Sequence, residues 1–151
     1  KDLASTRLFE EPLWSCAAPD DELAGTGPID LAALKGREIL SVSQSVRLNT
    51  TVNLLAETAD ASTSGVFAGS SLDAIRHMAA TGAGVAILPA IYALSEARRD
   101  ADLVLRRIDH PIAKRRVALI WRPTSPLVSQ FEGIAEILRE DASAILAHDQ
   151  D

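Results

Sequence analysis

The sequence predicts an α/β fold, and the stretch from Ser70 to Pro89 carries most of that prediction. Ser70 or Ser71 can cap a helix, and Asp73 follows at the spacing at which an acidic side chain reaches the free N–H groups of the first turn. Apolar residues then recur at helical spacing, and Gly82 supplies the left-handed residue that ends a helix at low steric cost. A short apolar run follows as a buried strand. Helix, turn and strand in this order form half of an α/β unit.

Length and composition indicate one domain with a sizeable core. The chain has 151 residues, of which 47% are hydrophobic, so it can bury the apolar surface that a single domain needs. Its net charge of -6 makes the chain alone a poor nucleic-acid binder, because phosphate neutralisation needs clustered cations. The densest basic groups are Arg98-Arg99 and Lys114-Arg115-Arg116. No apolar run is long enough to span a bilayer. The opening at Lys1, without an initiator Met or a signal-like segment, favours a fragment or a processed product.

The remaining elements follow in order along the chain. The first seven residues predict no clear element, and the tail after Asp141 is polar enough to fray. Strands are predicted at 13–18, 39–42, 65–68, 85–88, 103–105 and 116–121. Helices are predicted at 29–34, 48–57 and 90–97, besides the one in the opening stretch and a long one that starts near Ser125-Pro126.

Polar residues stand between the strand at 39–42 and the helix that follows it. Ser45, Val46 and Arg47 occupy this loop. The carboxyl ends of strands that feed helices are where open α/β sheets bind ligands, because free N–H groups and the helix dipole point there. The alternative interpretation is a solvent-exposed, capped turn. The residues alone leave both interpretations open.

The sequence contains no motif for a disulfide, a phosphate-binding loop, a calcium-binding loop or a catalytic site. Cys16 is the single cysteine, which excludes an intramolecular disulfide, and a buried inert thiol is favoured over a reactive sensor. Gly82-x-Gly84 follows a helix and precedes a strand, the reverse of a phosphate-binding loop. The acidic run at 20–22 lacks the further oxygen ligands of a calcium loop, so a solvated turn is favoured. The three histidines lie far apart. No enzyme, metal or cofactor is predicted.

Five motifs in order resemble one known family. Leu8 to Leu13 (LFEEPL), Leu31 to Gly36 (LAALKG), Ser71 to Arg76 (SLDAIR) and Gly82 to Pro89 (GAGVAILP) are similar to the effector-binding domain of LysR-type transcriptional regulators. Within that family, Trp121 to Leu127 (WRPTSPL) most resembles the peroxide-sensing OxyR-type regulators. The resemblance extends from about Leu8 to Arg139, which is nearly the whole chain.

The resemblance implies a type 2 periplasmic-binding-protein-like fold, in which two α/β subdomains hold an effector between them. Residues 1–12 would end the first subdomain and cross over, residues 13–112 would form the second, and residues 113–151 would supply the return strand and C-terminal helix of the first. The remainder of the first subdomain, and the helix-turn-helix domain that binds DNA, would lie upstream of Lys1.

The sequence departs from the OxyR type at the redox site. Alignment by the strand at 39–42 places Val46-Arg47 where that type has a His-Cys pair, and the second cysteine position falls near Ala56. A thiolate-to-disulfide cycle needs two thiols, so this chain cannot perform it. The resemblance therefore implies the fold and the cleft without the redox switch.

The function implied is reversible binding of a small effector, for which an anion is the candidate. The residues that would face the effector are Ser45, Val46, Arg47, Ser70 and Ser71. Closure of the subdomains around it would change how a homodimer or tetramer is arranged on DNA, in the cytoplasm. Arg47 either clamps a carboxylate bidentately or pairs with a nearby acidic side chain. A solute-binding protein of a transport system is the alternative function, followed by peroxide sensing by a route without the cysteine pair.

Overall fold

The computed structural model describes residues 2–42 and 46–150. The strands are β1 (Ala4–Ala17), β2 (Ile29–Asp30), β3 (Glu38–Val42), β4 (Ser62–Gly69), β5 (Val85–Pro89), β6 (Val104–Asp109) and β7 (Lys114–Trp121). The helices are α1 (Val46–Ala59), α2 (Leu72–Ala80), α3 (Ala90–Ser95) and α4 (Val128–Leu146), and 3-10 turns cover Leu31–Leu34, Ala97–Arg99 and Ala147–Gln150. Within this part of the chain no helix is long and apolar enough to cross a bilayer.

The strands form one sheet in which β1 has a double role. The order is β2-β6-β1-β5-β3-β4, and β7 pairs with β1 outside this path. β3 runs parallel to β4 and β5, whereas β1 is antiparallel to β5, β6 and β7. The register of β1 with β7 runs from Ala4 to Pro12, and its register with β5 begins at Leu13. One long strand therefore passes from one set of partners to another.

This exchange of partners divides the chain into two layers. We call residues 13–112 the α/β unit, and we call the first half of β1 together with β7 and α4 the ribbon layer. The N–H of Leu13 donates to the carbonyl of Ala113 at 2.9 Å, where the two layers meet. A strand of 14 residues exceeds the usual five or six, and that extra length lets it serve both layers.

The core of the α/β unit lies on both faces of its sheet. Along β5, Val85 and Ile87 belong to one buried cluster, whereas Ala86 and Leu88 belong to the other. This alternation is the period of two that a strand imposes, and apolar residues on both faces are typical of a sheet covered on each side. Helix α1 contributes to the first cluster, and α2 and α3 contribute to the second. The α/β prediction is confirmed.

The predicted helix of the opening stretch is present with its predicted ends. Ser71 is the N-cap of α2, and its hydroxyl oxygen accepts a hydrogen bond from the N–H of Ala74 at 3.2 Å. Gly82 follows the helix with a φ of +78°, a conformation that glycine adopts without strain.

The two ends of the chain differ from the prediction. A strand already begins at Ala4, because pairing with β7 orders residues that carry no strong signal of their own. Helix α4 continues to Leu146 instead of fraying after Asp141, since Ala142 is buried and Leu146 packs against the second core cluster. Tertiary contacts override local polarity at both ends.

The acidic run at 20–22 forms a turn held by arginines. Asp21 pairs with Arg37 and accepts the N–H of Leu23 at 2.8 Å. Burial favours the neutral acid, but these two bonds outweigh it and hold the pKa of Asp21 below its ordinary value. Arg106 donates to four carbonyl oxygens of the following loop, those of Leu23, Thr26, Gly27 and Pro28. The turn predicted here is therefore packed against the sheet.

Candidate functional site

The carboxyl ends of β3 and β4 meet at one edge of the sheet. Val42 and Gly69 are register partners, so the last residues of these two strands lie side by side. α1 begins after the first of these segments and α2 after the second, which brings two helix N-termini to the same edge. The dipoles of both helices place partial positive charge there.

Asn49 holds the first turn of α1 against the end of β3. Its side-chain amide donates to the carbonyl of Val42 at 2.5 Å, and its oxygen accepts the N–H of Val42 at 3.3 Å. One side chain thus satisfies both main-chain groups of the last residue of β3. This pairing fixes where α1 starts, and therefore where Arg47 projects.

The predicted site residues divide between two places at this edge. Arg47 lies exposed in the first turn of α1, which begins at Val46, and it lines a groove. Ser71 caps α2, and Ser70 precedes it with an exposed side chain. Neither serine lines the groove that Arg47 lines. Ser45 lies outside the described residues.

The groove lies between the first half of α1 and the strand β7. Its volume is about 720 Å³. Its lining is made of Arg47, Leu48, Thr50 and Thr51 from α1, and of Lys114, Arg115, Arg116, Val117, Ala118 and Ile120 from β7. Four cations from two distant parts of the sequence therefore converge, one from the α/β unit and three from the ribbon layer.

The sequence shows Lys114-Arg115-Arg116 as a dense basic group but does not connect it with Arg47. The connection depends on the pairing of β7 with β1, which sets β7 opposite α1. No local sequence pattern predicts that pairing. The sequence could show only that these three residues form a basic group.

Two carboxylates on β1 face the three cations of β7 in different ways. Glu10 is 26% exposed and is shared by Lys114 and Arg116, each at 3.2 Å. These two bonds hold the pKa of Glu10 below its ordinary value. Glu11 is fully buried, and one of its oxygens accepts from Nε of Arg115 at 2.5 Å. Four cations against two carboxylates leave the groove net positive.

The single thiol lies away from the groove. Cys16 is fully buried in β1, and burial raises its pKa to about 12. The positions that the OxyR-type resemblance assigns to a redox pair hold Arg47, at the groove, and Ala56, buried in α1. Among the described residues no group of His, Cys, Asp or Glu side chains could hold a metal ion.

Comparison with known proteins places the chain in one family. The sequence profile of the LysR substrate binding domain matches residues 1–143. Among curated proteins, the DNA-binding transcriptional dual regulator OxyR of Escherichia coli (strain K12) is 32% identical over 132 residues, which make up 87% of this chain and 43% of that protein. The chain thus spans less than half the length of that relative.

Solved structures agree with this placement. The reduced form of the OxyR regulatory domain from Pseudomonas aeruginosa superposes with a TM-score of 0.75 at 27% identity, over 91% of this chain and 66% of that one. The Synechocystis PCC6803 CcmR regulatory domain in complex with 2-PG has a TM-score of 0.72 at 23% identity, over 92% of this chain and 66% of that one, and it supports the fold alone. The periplasmic-binding-protein-like type 2 fold is confirmed, and the relatives found are transcription regulators, not enzymes. This chain belongs to the LysR substrate binding domain family.

Proposed function

We propose that this chain senses a small anionic effector, which it binds in the groove between α1 and β7, for a LysR-type transcription regulator. The observation that carries the proposal is the convergence of Arg47 with the three cations of β7 in one groove. The chain as a whole is acidic, with a net charge of -6. A basic groove on an acidic surface attracts anions locally, because a cleft focuses the field of the charges that line it.

The chemistry of the lining suits a carboxylate or a phosphate. A guanidinium presents a planar fork of N–H donors that matches either group bidentately. Arg47 adds its charge at the N-terminus of α1, where the helix dipole already favours an anion. Thr50 and Thr51 line the same wall of the groove, and the hydroxyl of Thr51 donates to the carbonyl of Arg47 at 3.4 Å. The chain therefore offers charge and direction together.

The same proposal includes the other predicted site residues and the subdomain boundaries. Ser45 and Val46, together with Ser70 and Ser71, which do not line the groove, would approach the ligand from the two segments that follow β3 and β4. Residues 1–12 and 113–151 would belong to the first subdomain, and residues 13–112 to the second. The change of partners along β1 between Pro12 and Leu13 supports this division. The groove then lies between the subdomains, and closure upon it would link ligand binding to regulation.

The wider partners are proposed from the named relatives. Self-association, binding to DNA through a domain outside this chain, and a cytoplasmic location are the properties we infer for the full protein. The relatives' description as transcriptional regulators supports this inference over a transport protein.

Peroxide sensing remains a second candidate, because several relatives are named hydrogen peroxide-inducible genes activators. A disulfide cycle within the chain is excluded, since Cys16 is its single cysteine and is buried. Any response to peroxide would have to use a route without the cysteine pair.

Isothermal titration with inorganic phosphate and with malonate tests the proposal. We expect binding at low salt that weakens about tenfold in Arg47→Ala, because a charge-assisted hydrogen bond is lost. Arg99→Ala removes the same charge from an exposed position on a 3-10 turn outside the groove lining, and should bind like the unaltered chain. If Arg47→Ala binds both anions as tightly as Arg99→Ala does, the groove is not the anion site.

A further inference from the structure

We propose that Glu11 is a positioning residue for the groove, and that it holds the guanidinium of Arg115 in the orientation that receives the anion. This inference rests on the proposed function, because it assigns a role within the same groove. It concerns a residue that does not line the groove and that would not touch the ligand.

Glu11 is a fully buried carboxylate with both oxygens engaged. Oε1 accepts from Nε of Arg115 at 2.5 Å, and Oε2 accepts from the N–H of Ile91 at 2.7 Å. Ile91 lies in the first turn of α3, whose N-cap, Pro89, provides no side-chain acceptor. The carboxylate therefore joins three elements, namely β1, β7 and α3. Because the bond to α3 fixes its second oxygen, the carboxylate cannot follow a moving arginine.

Arg115 is held at its inner end and exposed at the groove. Its bond to Glu11 uses Nε, and its side chain remains 36% exposed while it lines the groove. A guanidinium has five donors in a rigid plane, so fixing Nε sets the plane in which the other donors lie. Preorganised donors bind an anion more tightly than mobile ones, because less side-chain freedom is lost on binding.

The neighbouring residue, Glu10, is an ordinary counter-ion and serves as a comparison for Glu11. Glu10 is 26% exposed and bridges Lys114 and Arg116, which are themselves 50% and 75% exposed. Its partners are these two side chains and Arg7 of its own strand, and within the described part of the chain no main-chain N–H fixes it in the way that the N–H of Ile91 fixes Glu11. Its negative charge competes with a bound anion for the same two cations. Glu10 and Glu11 are thus adjacent carboxylates with opposite predicted effects.

The test measures phosphate affinity after the same substitution at the two positions. Glu10→Gln should raise the affinity for inorganic phosphate, since it removes a competing charge and leaves no cation displaced. Glu11→Gln should lower it by about tenfold, because Arg115 loses a charge-assisted bond that orients it. If Glu11 were only another negative charge beside the groove, both variants would bind phosphate more tightly, and the inference would be overturned.

Two further variants separate positioning from general damage to the fold. In an Arg115→Ala background, Glu11→Gln should cause no further loss of affinity, and an undiminished tenfold loss there contradicts the inference. Glu11→Asp keeps the charge but shortens the arm, so it cannot reach Ile91 and Arg115 together. It should bind phosphate more weakly than the unaltered chain, and it decides the question if Glu11→Gln does not fold. If Arg47→Ala weakens binding while both Glu11 variants bind normally, the inference fails and the proposed function stands.

Discussion

The α/β unit and the ribbon layer differ in how their apolar side chains are used. In the α/β unit, both faces of the sheet carry fully buried residues, such as Ile87 on one face and Leu88 on the other. In the ribbon layer, α4 buries Ala135 and Ala142, while Ile137 stays 60% exposed and Leu138 stays 39% exposed. The α/β unit therefore contains the core that stabilises the chain. The ribbon layer is held mainly by its pairing along β1 and contributes charges to the groove.

This difference suggests how stability and binding are distributed. Regions with few buried apolar contacts open at lower free energy than regions with many. The half of the groove that α1 supplies is anchored in a packed core, and the half that β7 supplies is anchored through β1 and Glu11. Movement of one layer against the other would change the groove.

The largest expected effect comes from truncating matched leucines in the two layers. Leu40→Ala removes a side chain that is 1% exposed, and should lower the free energy of unfolding by about 2–5 kcal/mol through lost burial and a cavity. Leu138→Ala removes one that is 39% exposed, and should change it by about 0.5 kcal/mol or less. Urea unfolding followed by circular dichroism measures both. Equal losses would show that α4 is as tightly packed as the sheet.

A second comparison uses two glycines, for which substitution by alanine should change the stability of the chain in opposite directions. At Gly84, where φ is +156°, an added Cβ would lie 2.8 Å from the carbonyl oxygen of Glu38 and 3.0 Å from Cδ2 of Leu40. Gly84→Ala should therefore destabilise the chain by about 1–3 kcal/mol, as overpacking does. Gly133, in α4, has nothing within 4 Å of an added Cβ, so Gly133→Ala should stabilise the chain by about 0.5–1 kcal/mol.

Thermal unfolding of the two glycine variants checks this pair. A stable Gly84→Ala protein would mean that β3 moves away easily and that the sheet is less rigid than its burial indicates. A destabilised Gly133→Ala protein would mean that the exposed face of α4 is covered in solution.

The smallest expected effect concerns one carboxylate in each layer. Burial opposes ionisation of Asp21, but the bonds from Arg37 and from the N–H of Leu23 lower its pKa below 3.8. Stability from such a group is present above its unfolded pKa and is lost as the pH falls through the folded value. Asp21→Asn should therefore cost on the order of 1 kcal/mol at neutral pH and progressively less below pH 3.8.

Glu10→Gln is the matched variant in the ribbon layer. Its pKa is lowered in the same direction by Lys114 and Arg116, but those partners are half exposed or more, so its effect on stability should be smaller and should vanish with added salt. Urea unfolding as a function of pH and salt distinguishes the two carboxylates. A pH-independent cost of Asp21→Asn would show that Asp21 acts through packing alone.

Much of the fold was predictable because its signals are local. Ser71 caps α2 and Gly82 ends it, as their positions in the sequence indicate. The start of β1 at Ala4 was not predictable, because those residues become a strand only when β7 lies beside them. The site was likewise predictable only where its signals are local. Arg47 was identified from its place after β3, whereas Lys114 to Arg116 could be recognised as basic but not as partners of Arg47.

The sequence by itself determined the α/β class, the family resemblance and the absence of a second thiol, since these depend on residue identity and short-range spacing. Only the tertiary structure decided that β1 serves two layers, that four cations share one groove, and that Glu11 is buried while Glu10 is not. The physical reason is the distance along the sequence over which each interaction acts. Capping and periodicity act over a few residues, whereas the burial of a charge and the pairing of strands depend on segments that meet only in the folded chain.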